Sequence, residues 1–176
     1  MKILVLTGSA RNGNSSKLAD AFIEGAKEAG HDVSRINCAK LKVGGCLGCN
    51  YCYKHDSICC QKDDFASLRD DLVAADAIVF ASPVYYYGLS SQLRAVIDRF
   101  YAIDGKLHAP KRTALLLSLA DDAEKTAMPA RVHYEGFTSY LGWSDAGQII
   151  AYGCTEPDDI LKTDAIAKAR ELGKNI

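Results

Sequence analysis

Three short runs hold residue types whose spacing could do chemistry, and the first is Gly8-Ser9-Ala10-Arg11-Asn12-Gly13-Asn14-Ser15-Ser16. Its glycines let the backbone turn tightly, its serine and asparagine side chains donate hydrogen bonds, and Arg11 adds a fork of charged donors. The run stands between an apolar stretch and a helical pattern, where the free N–H groups of a helix start favour an anion. With glycine only at positions 8 and 13, it matches neither G-x-G-x-x-G nor the G-K-[ST] ending of a P-loop. That spacing predicts a site for a single phosphate rather than a pyrophosphate or triphosphate. A Ser/Asn-rich helix cap that binds nothing fits the same residues.

The second run, Ser82-Pro83-Val84-Tyr85-Tyr86-Tyr87-Gly88-Leu89-Ser90, carries three consecutive tyrosines. Such side chains offer flat, amphipathic surface to an aromatic ring system, or they pack on a neighbouring helix or a partner subunit. The third run is cysteine-rich: of seven cysteines, Cys46, Cys49, Cys52 and Cys59 crowd into fourteen residues. In a reducing compartment such crowding reads as metal or redox chemistry. Zinc sites usually set two C-x2-C pairs far apart, whereas here three cysteines run consecutively. Cys38, Cys60 and Cys154 have no partner at ligand spacing and read as small buried residues. His55 reads as a solvated loop residue, with a ligand role inside the cysteine loop the alternative; Asp63 and Asp64 read as caps of the helix that follows, and Asp98 with Arg99 as a local ion pair or subunit contact. His133, Tyr134 and Trp143 read as packing residues within the domain or at an interface, with lining of a substrate pocket the alternative. No Ser-His-Asp arrangement, paired carboxylate or HExxH helix stands out.

Those runs must be positioned by the segments between them. Lys2–Thr7 (KILVLT) is a continuous apolar run, as expected of a strand covered on both faces. Leu18, Phe22, Ala26 and Ala29 then recur at helical steps until Gly30. The alternation continues with strands at Asp32–Asn37, Ala77–Ala81, Thr113–Ser118 and Asp145–Tyr152. Helices are predicted over Phe65–Leu72, Leu89–Phe100, about Ala123–Leu141, and a closing stretch through Ile160, Leu161, Ala165, Ala169 and Leu172. Five β-α units of this kind predict a doubly wound α/β sandwich of three layers, with a five-stranded parallel sheet in the order 2-1-3-4-5. In that order strands one and three flank the switch point, so the serine-rich and tyrosine-rich loops should form one crevice.

The length of 176 residues, 48% apolar and 24% charged, suits one domain spanning 1–176. With 21 basic against 22 acidic residues there is no polybasic patch for nucleic acid. The opening apolar run is too short for a membrane span or a signal core, which predicts a cytoplasmic protein with no membrane partner.

Taken together, GSARNGNSS, CLGCNYCYKHDSICCQKDDF and SPVYYYGLSSQLRAVIDR resemble the NAD(P)H-dependent FMN reductase family, including its iron-sulfur flavoprotein branch. The resemblance spans nearly the whole chain. It implies a flavodoxin-like fold, non-covalent FMN, NAD(P)H as electron donor, and assembly as a homodimer or homotetramer. The electron acceptor would be a small molecule such as a quinone, nitroaromatic or free flavin; a redox protein served by an electron carrier is the alternative, and a flavin-free thiol sensor a third. Carried over by residue, Ser9, Arg11, Asn14, Ser15 and Ser16 would hold the FMN phosphate. Pro83, Val84, Tyr85, Tyr86, Tyr87 and Gly88 would line the isoalloxazine and ribityl chain. Ser118, Leu119 and Ala120 match a third flavin-side loop, although LADD stands where the family often has glycines. Cys46, Cys49, Cys52 and Cys59, in a loop at about 44–62, resemble the motif that binds a [4Fe–4S] cluster in the iron-sulfur branch, while other members keep such a loop without a cluster.

Overall fold

The computed structural model describes residues 1–176. The opening apolar run forms β1 (Lys2–Thr7), followed by α1 (Asn14–Glu28) and β2 (Asp32–Asn37). The chain continues through α2 (Phe65–Ala74), β3 (Ala77–Tyr85), the two-residue β4 (Gly88–Leu89) and α3 (Ser91–Asp98). Next come α4 (Asp104–Leu107), β5 (Arg112–Ser118), α5 (Glu124–Tyr140), β6 (Ser144–Ala151) and α6 (Ala165–Asn175). β1 lies between β2 and β3, β3 pairs with β5 and β5 with β6, every pairing parallel. Counted among these long strands, the order is the expected 2-1-3-4-5.

The sheet has six strands rather than five, because β4 folds back antiparallel on the end of β3. Tyr86 and Tyr87 make that turn with φ of 45° and 66°. Positive φ at both central residues gives a turn whose twist matches a two-residue hairpin. β3 therefore runs on to Tyr85, four residues beyond the expected end at Ala81, and carries Pro83–Tyr85 out to the carboxyl edge of the sheet.

Successive strand residues feed two separate cores. Ile3, Val5, Val79 and Leu116 pack with Leu18 and Phe22 of α1 and Ala169 of α6. Leu4, Leu6, Ile78, Phe80 and Leu115 pack with α2, α3 and α5 through Leu72, Leu93 and Tyr134. Both faces are covered, which is why these strands show no alternation with polar residues. The three layers are those of a flavodoxin-like fold. No helix is long and apolar enough to cross a membrane.

Two helices depart most from their expected limits. The third begins at Ser91, since Leu89 is taken by β4, and past Asp98 it tightens into a 3-10 segment over Arg99–Ile103. Ile160 and Leu161 belong to a separate 3-10 turn, Asp159–Lys162, rather than to the closing helix. Thr163 leaves that turn with extended backbone, and its hydroxyl accepts the Ala165 N–H at 3.2 Å to start α6.

Candidate functional site

The first and second loops are locked together where β1 and β3 end. Gly8 donates its N–H to the Ala81 carbonyl at 2.8 Å. A Cβ on Gly8 would stand 2.2 Å from Ser90 Oγ and 3.0 Å from Leu93 Cβ, so a larger residue would force the loops apart. Ser82 Oγ accepts the Ser90 N–H at 2.9 Å and closes the second loop on itself.

Between these loops lies a crevice of about 250 Å³. Ser9, Arg11, Asn14 and Ser15 line it from the first loop, Pro83, Val84 and Tyr85 from the second, and Ser118, Leu119 and Ala120 from the loop after β5. Its fourth wall, Cys154, Thr155 and Pro157 after β6, is absent from the expectations drawn from the sequence. The signal for it is positional: in an open α/β sheet the loops leaving the carboxyl ends of the strands near the switch point face the ligand crevice.

The expected phosphate residues do different jobs. Gly13 caps α1 without a side-chain oxygen, so the first-turn N–H groups stay free for an outside acceptor. Ser15 is buried at this edge and exposed Arg11 brings the positive charge. Ser9 Oγ is spent inside the loop: it donates to the Arg11 carbonyl at 2.7 Å and accepts the Arg11 N–H at 3.3 Å, fixing the turn. Asn14 braces the fourth wall, with Nδ2 donating to the carbonyls of Cys154 (3.3 Å) and Glu156 (2.9 Å) and Oδ1 accepting the Ile160 N–H (3.3 Å). Ser16 does not line the crevice; its hydroxyl accepts from Arg35 Nη2 at 2.7 Å.

The tyrosine loop is divided in the same way. Tyr85, half exposed, stands at the crevice, whereas Tyr86, Tyr87 and Gly88 line a neighbouring hollow with Arg94, Pro129 and His133. Tyr134 and Trp143 are buried packing residues as expected, and His133 is exposed.

The cysteine loop departs furthest from expectation. Its base is a buried clamp: fully buried Arg99 donates through Nη1 to Asp63 Oδ2 at 2.6 Å and to the Gly44 carbonyl at 3.0 Å, and its guanidinium lies over the Phe65 ring. Arg99 thus pairs across the fold and not with Asp98. Asp63 does hold the Phe65 N–H at 3.2 Å as a cap would, but Asp64 instead accepts the Lys42 N–H at 2.7 Å. Burial would raise the Asp63 pKa, yet Arg99 and the backbone N–H groups of Gly44 and Phe65 outweigh it and hold the carboxyl below the usual range.

Above the clamp, Cys46 and Cys49 are exposed, Cys59 is half-buried, and Cys52 turns into the core. No three of the loop's Cys, His, Asp or Glu side chains converge where a metal could be held. As arranged, these residues do not fit a four-thiolate cluster, which requires converging sulfurs. Cys49 and Cys60 do meet, with Sγ atoms 3.5 Å apart, and Cys59 stands against Cys60 and Arg99. The Tyr51 N–H and then Cys60 hold the Cys49 thiol below its ordinary pKa, while Cys49 pushes Cys60 up. Cys60 is exposed, contrary to its reading as a buried residue, while Cys38 and Cys154 are buried as expected. Burial pushes the Cys38 thiol up to about 12. His55 is exposed and stacks on Tyr51 with ring centroids 3.6 Å apart.

Similarities to known proteins bear on this arrangement. A relative named iron-sulfur flavoprotein, from Archaeoglobus fulgidus, is 35% identical over 100 residues, 56% of this chain and 45% of the relative, so the match spans about half of that protein's length. An FMN-dependent NADH:quinone oxidoreductase from Bordetella bronchiseptica is 29% identical over 195 aligned positions, covering 97% of this chain and 92% of the relative. Among solved structures, an NAD(P)H:quinone oxidoreductase from Methanothermobacter marburgensis superposes with a TM-score of 0.79 at 20% identity, over 99% of this chain and 95% of that one. That likeness concerns the fold. The model of one family, described as NADPH-dependent FMN reductase, matches residues 1–144, a stretch holding the first two loops and the third, up to the start of β6. On that match, the chain belongs to the NADPH-dependent FMN reductase family.

Proposed function

We propose that the 176 residues act as one FMN-binding domain that passes electrons from NAD(P)H to a small acceptor such as a quinone, nitroaromatic or free flavin. The observation that carries this is the single crevice to which both the serine-rich loop and Tyr85 contribute. Its chemistry suits the cofactor: uncapped N–H groups and Arg11 for a dianionic phosphate at one end, an aromatic side chain at the other. Bound there, FMN would supply the two-electron chemistry, taking a hydride from the nicotinamide and yielding electrons to the acceptor.

The chain's own part is binding and orientation. The first turn of α1, Ser15 and Arg11 would hold the phosphate, and Ser9 and Asn14 keep that loop and the fourth wall in place. Pro83, Val84 and Tyr85, with Ser118, Leu119 and Ala120, would line the ring and ribityl chain. The cysteine loop takes no step in this reaction. Tyr86, fully exposed, and Met128 and Val132 of α5 supply apolar surface for the homodimer or homotetramer the reading includes.

Titrating the purified chain with FMN tests the reading. Fluorescence should quench to a stoichiometric end point, and anaerobic NADPH or NADH should then bleach the bound flavin. FMN that stays fluorescent and passes freely through a desalting column would overturn it; bound flavin that neither nucleotide bleaches would favour an electron carrier.

A further inference from the structure

The cysteine loop brings together a pair that its family-like quartet does not include. Cys60 lies outside that quartet, yet it is the sulfur of Cys60 that stands 3.5 Å from Cys49, and both thiols are exposed. We propose that Cys49 and Cys60 form a reversible dithiol/disulfide pair that closes the cysteine loop and reacts with organic disulfides.

The backbone around each partner suits this. Cys49 sits on a turn between Gly48 and Asn50, both in left-handed conformation with φ of 63° and 58°, so its position is set by local turn geometry. Cys60 is held from the other side. Gln61 donates to the Gly45 carbonyl at 3.0 Å, and two residues further on Asp63 is fixed by Arg99. One sulfur rides on a solvent-facing turn and the other on an anchored segment. The two sulfurs already stand at van der Waals contact, and forming the bond requires them to close to about 2.05 Å. Cys52 cannot take the same part because its thiol is buried.

The chemistry balances as thiol–disulfide exchange. One of the two thiolates attacks a sulfur of RSSR, forming a mixed disulfide and releasing RS⁻. The other then attacks the protein sulfur of that mixed disulfide, forming the Cys49–Cys60 bond and releasing a second RS⁻. The protein loses two electrons and two protons, and RSSR ends as two RSH. A dithiol reductant runs the sequence backwards. Cys49 cannot serve this pair and ligate a metal at the same time, so the inference and a cluster on the quartet exclude each other.

The test uses the full chain, purified anaerobically and reduced, then equilibrated with glutathione and glutathione disulfide in a series of ratios, quenched in acid, alkylated and peptide-mapped. The expected result is loss of two alkylatable thiols per chain and a Cys49–Cys60 linked peptide whose yield rises with the disulfide fraction and reverses with dithiothreitol. Cys60→Ser should abolish the linked peptide and trap a mixed glutathione disulfide on Cys49, with FMN retention and the circular dichroism spectrum unchanged as evidence of folding. If Cys60→Ser fails to fold, Cys49→Ser takes its place, with the mixed disulfide then expected on Cys60. The inference is overturned if the linked peptide is absent at every ratio, if Cys49 is found bridged to Cys46 or Cys59 instead, or if the anaerobic protein carries stoichiometric iron and sulfide with Cys49 shielded from alkylation. Because the readout is a peptide mass, its failure leaves the flavin titration untouched.

Discussion

At Gly8 the constraint is steric and non-local. A methyl group there would overlap the Ser90 hydroxyl and press on Leu93 at once. The hydroxyl can rotate, but Leu93 belongs to α3 and the helix must shift. Gly8→Ala is therefore expected to destabilise the chain by about 1–3 kcal/mol, the range for overpacking a filled site. FMN affinity should fall as well, because the displaced helix carries the second loop away from the first; urea melts and a fluorescence titration would measure the two effects. Asp63 offers a second prediction of the same scale. Its side chain is 17% exposed and that of Arg99 1%, so removing the carboxylate strands a buried guanidinium. Asp63→Asn should cost about 3 kcal/mol at neutral pH. The pH dependence has a definite sign. A carboxyl whose folded pKa lies below its ordinary 3.8 stabilises the fold above that value and loses the contribution as pH falls through the lower one. Wild-type stability should drop steeply below about pH 4, and the Asp63→Asn curve should be flatter there in the same acid titration. Of this, the sequence shows that Gly8 ends a strand and that Asp63 precedes a helix. The partners Ser90 and Arg99 lie too far along the chain for any local pattern to reveal.

The element that most shapes the crevice is the β3–β4 hairpin. Two tyrosines occupy the central positions of a turn that favours glycine or asparagine, at φ of 45° and 66°. Left-handed backbone costs an ordinary residue about 1–2 kcal/mol. The double change Tyr86→Asn and Tyr87→Gly should thus raise stability by about 1 kcal/mol or more, read as a higher unfolding midpoint. Since only Tyr85 of the three faces the crevice, that variant should retain FMN, whereas Tyr85→Ala should lose much of it. Loss of flavin by the double variant would mean that the outer tyrosines hold the ring after all. The strands and long helices are legible in the sequence because burial on two faces imposes continuous apolar runs and three-to-four residue steps. The hairpin is not, because Tyr-Tyr lacks the glycine or asparagine that normally marks a turn of this hand. The cysteine loop is illegible for another reason: spacing alone suggests four converging thiolates, while the Arg99–Asp63 clamp and the burial of Cys52 decide where each sulfur goes.

Across the whole molecule, the fourth wall of the crevice is held by contacts between the two ends of the chain. Asn14, at the start of α1, bonds three backbone groups between Cys154 and Ile160, and α1 then packs along α6. That packing is backbone against backbone: a Cβ on Gly173 would stand 2.1 Å from the Phe22 carbonyl oxygen, and one on Gly25 would stand 1.9 Å from that of Arg170. The amphipathic pattern of both helices predicts that they cover the sheet, yet it says nothing of how near they come, because closeness depends on where each glycine meets the other helix's backbone. The two contacts separate stability from binding. Gly173→Ala cannot be absorbed by a side-chain rotation, so it should lower stability by about 3 kcal/mol, at the upper end of overpacking costs. At a temperature where that variant is still folded, its FMN affinity should stay near wild type, since α6 does not line the crevice. Asn14→Ala should do the reverse: a loss of about 1–2 kcal/mol from bonds partly replaced by water, with a clear fall in FMN affinity as the Cys154–Pro157 wall loosens. Measuring melting midpoint and flavin affinity on both variants checks this. A Gly173→Ala protein that is folded but cannot hold FMN, or an Asn14→Ala protein that binds it as wild type does, would show that the wall is not held from the first helix.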